Sequence, residues 1–345
     1  MIGAGAVGCF VGGMLAAGGE DVTFVARERG KAELASTGLT CTSLEGASVR
    51  VPKERIVVTA DPRALEDRDV VLCCVKSAQT REVGTMLARL ISPQAMVISL
   101  QNGLRNADAL RRELGERPVL GGIVGFNVVP TGGGSFRQAT EGALIFEASR
   151  DARIDRLSRA LRTCGVEVEL VDDVRAHQWA KLVMNLNNAV SALSGAPSRD
   201  LVFVSGYRRI VAALVAEAVS VMRAAKVRPA KLRGIPVFML PTLLRLPTPL
   251  VKLVARAQLR IDPDARSSMW EDLARGRSTE VDELNGEIVR LAESCGAEAP
   301  LNRRLVALVH EVEAKGGGSP KLAPDALWSA ISASPRSSTH GSLST

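Results

Sequence analysis

Apolar positions come in short runs through the first half of the chain. Val22 to Ala26, Val70 to Val75, Met96 to Leu100 and Val119 to Val124 lack the polar alternation of a half-solvated strand and so read as strands buried on both faces. Between them, Arg81 to Leu90 and Asn106 to Leu114 repeat their apolar residues at helical spacing. Strand and helix in alternation predict a parallel sheet with helices on both faces. Ile154 to Cys164 and Val166 to Val171 add one more helix and strand, and after Asp172 the strand signals stop. From Val174 to about Val312 the pattern is helical almost throughout, most clearly over Ile210 to Met222 and Val281 to Leu291.

The expected architecture has two parts, an α/β domain over residues 1–172 and an all-α domain over 173–330, followed by a tail over 331–345. Two domains suit a chain of 345 residues at roughly 100 to 200 per domain. Residues 229–262 interrupt the helical half with a proline-rich, basic stretch to which the sequence assigns no role. Its most apolar part, Gly234 to Leu250, is broken by Pro236, Pro241, Arg245, Pro247 and Pro249, so it cannot cross a bilayer as one helix. Gly, Ser and Pro are frequent from Lys315 onward, and the last ten residues are expected to be disordered.

Composition then narrows the class. A hydrophobic fraction of 46% and a charged fraction of 23% are those of a globular domain, which excludes a wholly disordered chain and an integral membrane protein. The formal charge of +7 points either to nucleic acid or to an anionic small molecule. Scattered basic residues and an aromatic fraction of 3% argue against nucleic acid, because single-strand binders interleave basic and stacking residues. Six cysteines at positions 9, 41, 73, 74, 164 and 295 form no C-x-x-C pair and no metal-ligand spacing with the three histidines. No metal is expected, and a reduced, cytoplasmic setting is. Residues 1–20 are apolar but lack the basic start of a signal peptide.

Their glycines have another explanation. Gly3-Ala4-Gly5-Ala6-Val7-Gly8 matches G-x-G-x-x-G, leads into an apolar helix and is followed by the strand near Asp21 to Ala26. Gly3, Gly5, Ala6, Val7 and Gly8 are therefore expected to receive a dinucleotide pyrophosphate in a Rossmann-type domain, the alternative being a purely structural glycine turn. NAD enzymes usually carry Asp or Glu at the end of the second strand, whereas Arg27 stands here with Arg29 and Lys31 close behind. Arginine suits the 2′-phosphate of NADP; a solvated basic loop is the alternative. Lys76 and Asn102 each follow a buried strand, where open α/β sheets bind ligands. A solvated lysine and an ordinary Asn-Gly turn are the plainer readings.

Lys181, Asn185 and Asn188 stand at i, i+4 and i+7, which predicts one polar face on an otherwise apolar helix. Such a face needs a partner, and a ligand cleft supplies one. A lysine there can act as a general acid, or it can pair structurally with a carboxylate. His177, one turn earlier, is a rival donor or a surface histidine near Asp172 and Asp173. Further on, Gly276 should end one helix, with Thr279 capping the next and Asp282 completing a capping box. Glu280 would then sit at a helix N-terminus.

Taken together and in this order, GAGAVG, Arg27, CVKS, LQNG, KLVMNLNN and SSMWEDLARGRSTEVDELNG resemble the ketopantoate reductase (2-dehydropantoate 2-reductase) family, from residue 1 to about residue 330. The resemblance implies reduction of 2-dehydropantoate to (R)-pantoate with NADPH, in pantothenate and coenzyme A synthesis. By motif position it implies Lys181 as the catalytic lysine and Glu280 as the essential glutamate, the latter also meeting the cofactor. Asn185, Asn188 and Ser268 match substrate-binding positions, and Lys76 and Asn102 the nicotinamide side, with Asn102 reaching the substrate as well. Two departures stand out: the two amides are three residues apart where the family often has four, and residues 229–262 exceed the compact members. Both leave room for a different 2-oxo acid.

Other readings are a reductase of another 2-oxo acid, an opine-type dehydrogenase and a non-catalytic NADPH-binding regulator, with joint retention of Lys181 and Glu280 speaking against the last. A monomer or a homodimer is expected. A dinucleotide fold also needs a strand directly before its first glycine, in the middle of the sheet, and only Met1 and Ile2 precede Gly3. The natural start is therefore expected several residues upstream.

Overall fold

The first half of the chain builds its sheet from the runs that the alternation predicts. The computed structural model describes residues 1–251 and 266–333, which pack as two units: one from Met1–Asn185 and Lys226–Met239, the other from Leu186–Ala225, Leu240–Val251 and residues 266–333. In the first unit the order is α1 (Ala6–Ala17), β1 (Thr23–Val25), α2 (Glu28–Thr37), β2 (Leu39–Thr42), β3 (Ser48–Val51), β4 (Val57–Thr59), β5 (Val70–Cys73), α3 (Thr80–Leu90) and β6 (Met96–Ser99). It continues with α4 (Asn106–Leu114), β7 (Val119–Val124), β8 (Val128–Gly132), β9 (Ser135–Gln138), β10 (Leu144–Glu147), α5 (Ala152–Thr163), β11 (Val168–Val171) and α6 (Val174–Asn185).

Strands β1 and β4 pair in parallel, as do β5, β6 and β7 in turn, while β10 lies antiparallel to β7 and parallel to β11. Ile2 joins the two groups through parallel bridges to Val25 and Cys73. It donates to the Leu72 carbonyl at 2.9 Å and accepts from the Cys74 amide at 2.8 Å, and the Val25 amide reaches the Met1 carbonyl at 2.8 Å. The two residues before Gly3 thus bond to both neighbours over their own length. The Met1 amino group donates to the Thr23 carbonyl at 2.7 Å, and burial brings its pKa down to about 6. Counted along the chain, the order from β4 to β7 is 3-2-1-4-5-6, the arrangement of a Rossmann-type dinucleotide-binding domain.

Side chains alternate across this sheet. Leu72, Met96, Ile98 and Leu120 share a core with Phe10 and Leu15 of α1 and Ile154 and Leu161 of α5. Val71, Cys73, Val97 and Val119 point the other way, to Leu87 of α3 and Leu110 and Leu114 of α4. Each fully buried Leu or Phe contributes about 1.5 to 3 kcal/mol.

A second, four-stranded sheet in the order β3-β2-β9-β8 is a finding that the apolar runs did not announce. Its strands are four or five residues long; in β2 Leu39 and Cys41 are buried and Thr40 and Thr42 only half so. Helix α1 fits closely against both sheets. A Cβ on Gly12 would stand 2.5 Å from the Phe24 ring, and one on Gly13 2.5 Å from both Cys41 Sγ and Leu39 Cδ2.

The described part of the second unit is all-α: α7 (Asn187–Ser194), α8 (Ser198–Phe203), α9 (Ser205–Ala224), α10 (Leu240–Leu244), α11 (Ser268–Ala274), α12 (Asn285–Cys295), α13 (Pro300–Lys315) and α14 (Pro324–Ser332). Helix α9 buries Ile210, Leu214, Ala218 and Val221 along one stripe. Arg208, also buried, donates to the carbonyls of Val202, Leu244 and Leu246 and to Thr248 Oγ1. This ties residues 244–248 of the proline-rich stretch to α9; residues 252–262 lie outside the described residues. Helix α14 continues through Ile331 and Ser332, so the segment expected as tail from 331 begins within a helix, and residues 334–345 again lie outside. No helix among the described residues is long and apolar enough to cross a membrane.

Glu217 of α9 caps α13 from outside. Its carboxylate accepts from the Leu301 amide at 2.9 Å and from the backbone and side-chain nitrogens of Asn302, both at 2.8 Å. Asn302 is completely buried, so Glu217→Ala leaves donors stranded. We expect this change to cost about 2 kcal/mol, seen as a lower midpoint in a denaturant melt; an unchanged midpoint would show that water replaces the carboxylate.

Candidate active site

The chain leaves Ile2 and turns at once into α1. Gly3 has φ 92°, and a Cβ there would stand 2.7 Å from the Cys74 carbonyl carbon and the Val75 amide nitrogen. At Gly8 it would stand 2.2 Å from the Gly3 carbonyl oxygen. The protein's own packing therefore demands these two glycines. Gly5 differs, because nothing lies within 4 Å of a Cβ built on it. Gly5 is also the N-cap of α1 and makes no side-chain capping bond, so it leaves the first helical N–H groups, around Ala6 and Val7, without a cap from its own side chain. That cradle fits the pyrophosphate of a dinucleotide. Arg27, two residues beyond β1, is exposed at the start of α2, while Lys31 pairs with Glu28 at 3.3 Å.

The loops after β5 and β6 leave the same edge of the sheet, since Ile2, β5 and β6 are parallel neighbours. Lys76 is exposed on the first. Asn102, on the second, is held by its backbone: its carbonyl accepts from Ser77 Oγ at 3.1 Å and from Asn106 Nδ2 at 2.5 Å. Behind it, Thr80 Oγ1 donates to Asn106 Oδ1 at 2.8 Å, and Gln101 Nε2 reaches the Val75 carbonyl at 3.0 Å and Thr80 Oγ1 at 2.6 Å. Thr80, Gln101 and Asn106 are buried, and a satisfied buried network of this kind fixes both loops. Sequence reasoning missed Thr80 and Asn106. Each stands at the start of a helix, where a polar residue already has an explanation.

Helix α6 packs on β7, and its Lys181 donates from Nζ to Asn102 Oδ1 at 2.8 Å. Asn185, one turn further on the same face, is half-buried at the last position of α6. Arg175, at the other end of α6, donates to the Leu104 carbonyl and so pins the loop that carries Asn102. His177 Nδ1 lies 3.1 Å from the Asp173 carbonyl, at the start of the helix.

The single polar face expected over Lys181, Asn185 and Asn188 is not one helix. A turn at Leu186 ends α6, and Asn188 belongs to α7 in the second unit. The Leu186 carbonyl, at the N-cap of α7, accepts from Asn285 Nδ2 at 3.4 Å. Within the second unit, α7 packs against α11. Ser267 Oγ caps α11 by accepting from the Trp270 amide at 3.1 Å and itself donates to the Asn188 carbonyl at 3.1 Å. Ser268, the next residue, is exposed.

The expected capping box at Thr279 and Asp282 does not form either. Residues 280–284 make a turn, α12 begins only at Asn285, and Glu280 sits half-buried in that turn rather than at a helix N-terminus. The reason is distant in sequence: Glu313 takes the Thr279 amide and His310 takes the Asp282 carboxylate. Nearby, burial pushes the Glu283 carboxyl above its ordinary value, opposed by Arg290 and assisted by the neighbouring carboxylates.

The chain is similar to known proteins over most of its length. Residues 1–151 match the family model described as ketopantoate reductase PanE/ApbA, and residues 173–313 match its C-terminal counterpart. The 2-dehydropantoate 2-reductase of Archaeoglobus fulgidus is 30% identical over 322 residues, which span 91% of this chain and 97% of that protein. A crystal structure of a PanE/ApbA family ketopantoate reductase from Ralstonia eutropha JMP134 is 34% identical, with a TM-score of 0.76 and coverage of 91% and 98%. D-mandelate dehydrogenase, solved with NADH and anilino(oxo)acetate, shares the fold at 22% identity and a TM-score of 0.72, covering 91% of this chain and 98% of its own. On these grounds the chain is an oxidoreductase that belongs to the ketopantoate reductase PanE/ApbA family.

Proposed function

We propose that this chain reduces 2-dehydropantoate to (R)-pantoate with NADPH, a step in pantothenate and coenzyme A synthesis, in the cytoplasm. The observation that carries the reading is the 2.8 Å hydrogen bond from Lys181 Nζ to Asn102 Oδ1, at the sheet edge where Gly5 leaves its cradle open. All six cysteines are free thiols, in keeping with a reducing compartment.

When bound, NADPH supplies a hydride from C4 of its nicotinamide. Gly3 to Gly8 would hold its pyrophosphate with backbone N–H groups, Arg27 its 2′-phosphate, and Lys76 and Asn102 its nicotinamide side. Lys181 stabilises the negative charge that develops on the ketone oxygen and donates the proton that oxygen needs. Asn102 fixes the ammonium group by accepting from it. Asn185, Asn188 and Ser268 take the substrate carboxylate, and Glu280 takes its hydroxyl and meets the cofactor. Holding both ends of the oxo acid limits it to reactive orientations.

Steady-state turnover with NADPH across a panel of 2-oxo acids, with and without an amine, tests the substrate. Higher kcat/KM for another oxo acid, or a requirement for the amine, would replace 2-dehydropantoate. The cofactor is tested separately. Arg27→Ala should remove most of a preference for NADPH over NADH, because a charge-assisted phosphate contact contributes about 1.5 to 3 kcal/mol, or roughly 10- to 150-fold. Equal kcat/KM for the two cofactors in the wild type would sink the assignment of Arg27.

A further inference from the structure

We infer that Glu313, His310 and Asp282 form a clamp on the turn that carries Glu280, which makes His310 a positioning residue for the reduction; the inference rests on the reading of Glu280 given above. Both flanks of Glu280 are held from one turn of α13. On one side the Thr279 amide donates to Glu313 Oε1 at 2.6 Å. Glu313 Oε2 lies 3.0 Å from His310 Nδ1, and His310 Nε2 lies 3.1 Å from Asp282 Oδ1 on the other side. From α12, Arg290 donates to the Asp282 carbonyl at 2.6 Å and pairs with Glu283 at 3.3 Å and Glu287 at 2.7 Å.

Such bracing adds to what a short turn supplies by itself. Its backbone bonds run from the Glu283 amide to the Glu280 carbonyl at 3.1 Å and from the Leu284 and Gly286 amides to the Val281 carbonyl at 3.3 and 2.9 Å, and Val281 and Leu284 are buried. A side chain that must orient a substrate to within about 0.5 Å needs support from outside a turn of this kind. The clamp supplies it, and it depends on one proton. Both ring nitrogens of His310 face carboxylate oxygens, so only the imidazolium can donate to both. The charged groups facing it are Glu313 from its own helix and Asp282 from the turn. Burial lowers its proton affinity, but the hydrogen bonds to these two carboxylates and their charges outweigh burial and raise its pKa. Once the proton is lost, one ring nitrogen turns a lone pair toward a carboxylate and that side of the clamp opens.

Two measurements on the full chain test this. In the wild type, KM for 2-dehydropantoate should rise about fivefold as pH climbs through the His310 transition, above about 6.5, with little change in kcat. His310→Gln should show the high KM throughout and lose the transition. Without substrate, amide exchange of the peptide covering residues 277–284 should be faster in His310→Gln than in the wild type at pH 6, while the rest of α13 exchanges as before. Glu313→Gln, which keeps an oxygen for the Thr279 amide but removes the charge, should lie between the two and serves if His310→Gln does not fold. Wild-type exchange in the folded variants overturns the clamp. Faster exchange with no effect of Glu280→Gln on KM keeps the clamp and removes Glu280 from the substrate site.

Discussion

Replacing Lys181 by alanine is expected to lower kcat by about 10²-fold or more, the usual scale for losing a general acid, while NADPH affinity stays near its wild-type value. The separation follows from position. Lys181 projects from α6 to Asn102, whereas the glycine cradle and Arg27 belong to the turns after Ile2 and β1. Removing the ammonium group strips charge stabilisation from the ketone oxygen as hydride arrives, so the loss should fall on kcat and kcat/KM together. Cofactor fluorescence titration beside steady-state kinetics reads both quantities. Near-normal kcat would move the proton donor elsewhere, and His177 would be the next residue to change.

The second large effect separates the glycines of the cradle. A Cβ on Gly8 would meet the Gly3 carbonyl oxygen at 2.2 Å, a backbone atom met by an atom that no side-chain rotation moves, so no rotamer change relieves it. Gly8→Ala should therefore distort the turn at a cost of about 3 kcal/mol, lowering both the melting temperature and NADPH affinity. Gly5→Ala should leave the melting temperature within a few degrees, because its Cβ meets no protein atom. It should still weaken NADPH binding by about tenfold or more, through the space it takes from the pyrophosphate. If Gly5→Ala binds NADPH as the wild type does, the motif is a structural turn and nothing more.

The central strands were legible because burial on both faces writes them as unbroken apolar runs, as in Val70 to Cys73 and Val119 to Val124. The small sheet was not, because β2, β3, β8 and β9 are short, solvated on one side and interleaved with Thr, Ser, Arg and Gly. Local rules failed where a distant side chain claims a backbone group. At Thr279, Glu313 of α13 takes the amide and no capping box forms. Within the site, Lys181 and Asn102 each stood out by residue type and place in the chain, but their contact at 2.8 Å joins a helix to a distant loop and had no signal in the sequence. The network of Ser77, Thr80, Gln101 and Asn106 that sets Asn102 was hidden, since no spacing rule links two separate loops.

Helix α1 has Gly8, Gly12 and Gly13 among its twelve residues, each about 1 kcal/mol worse than alanine in an isolated helix. Its conformation is therefore borrowed from the side chains it rests on, above all Phe24, Leu39 and Cys41. A segment of this kind holds only as long as its surroundings hold, and the pyrophosphate cradle is lost with them. A dinucleotide that binds only the closed form adds about 2.7 kcal/mol to stability at a hundred times its Kd, which melts with and without NADPH would reveal. The lifetime of this protein against proteolysis should then follow the supply of its own cofactor, rising when the dinucleotide is plentiful and falling when it is scarce.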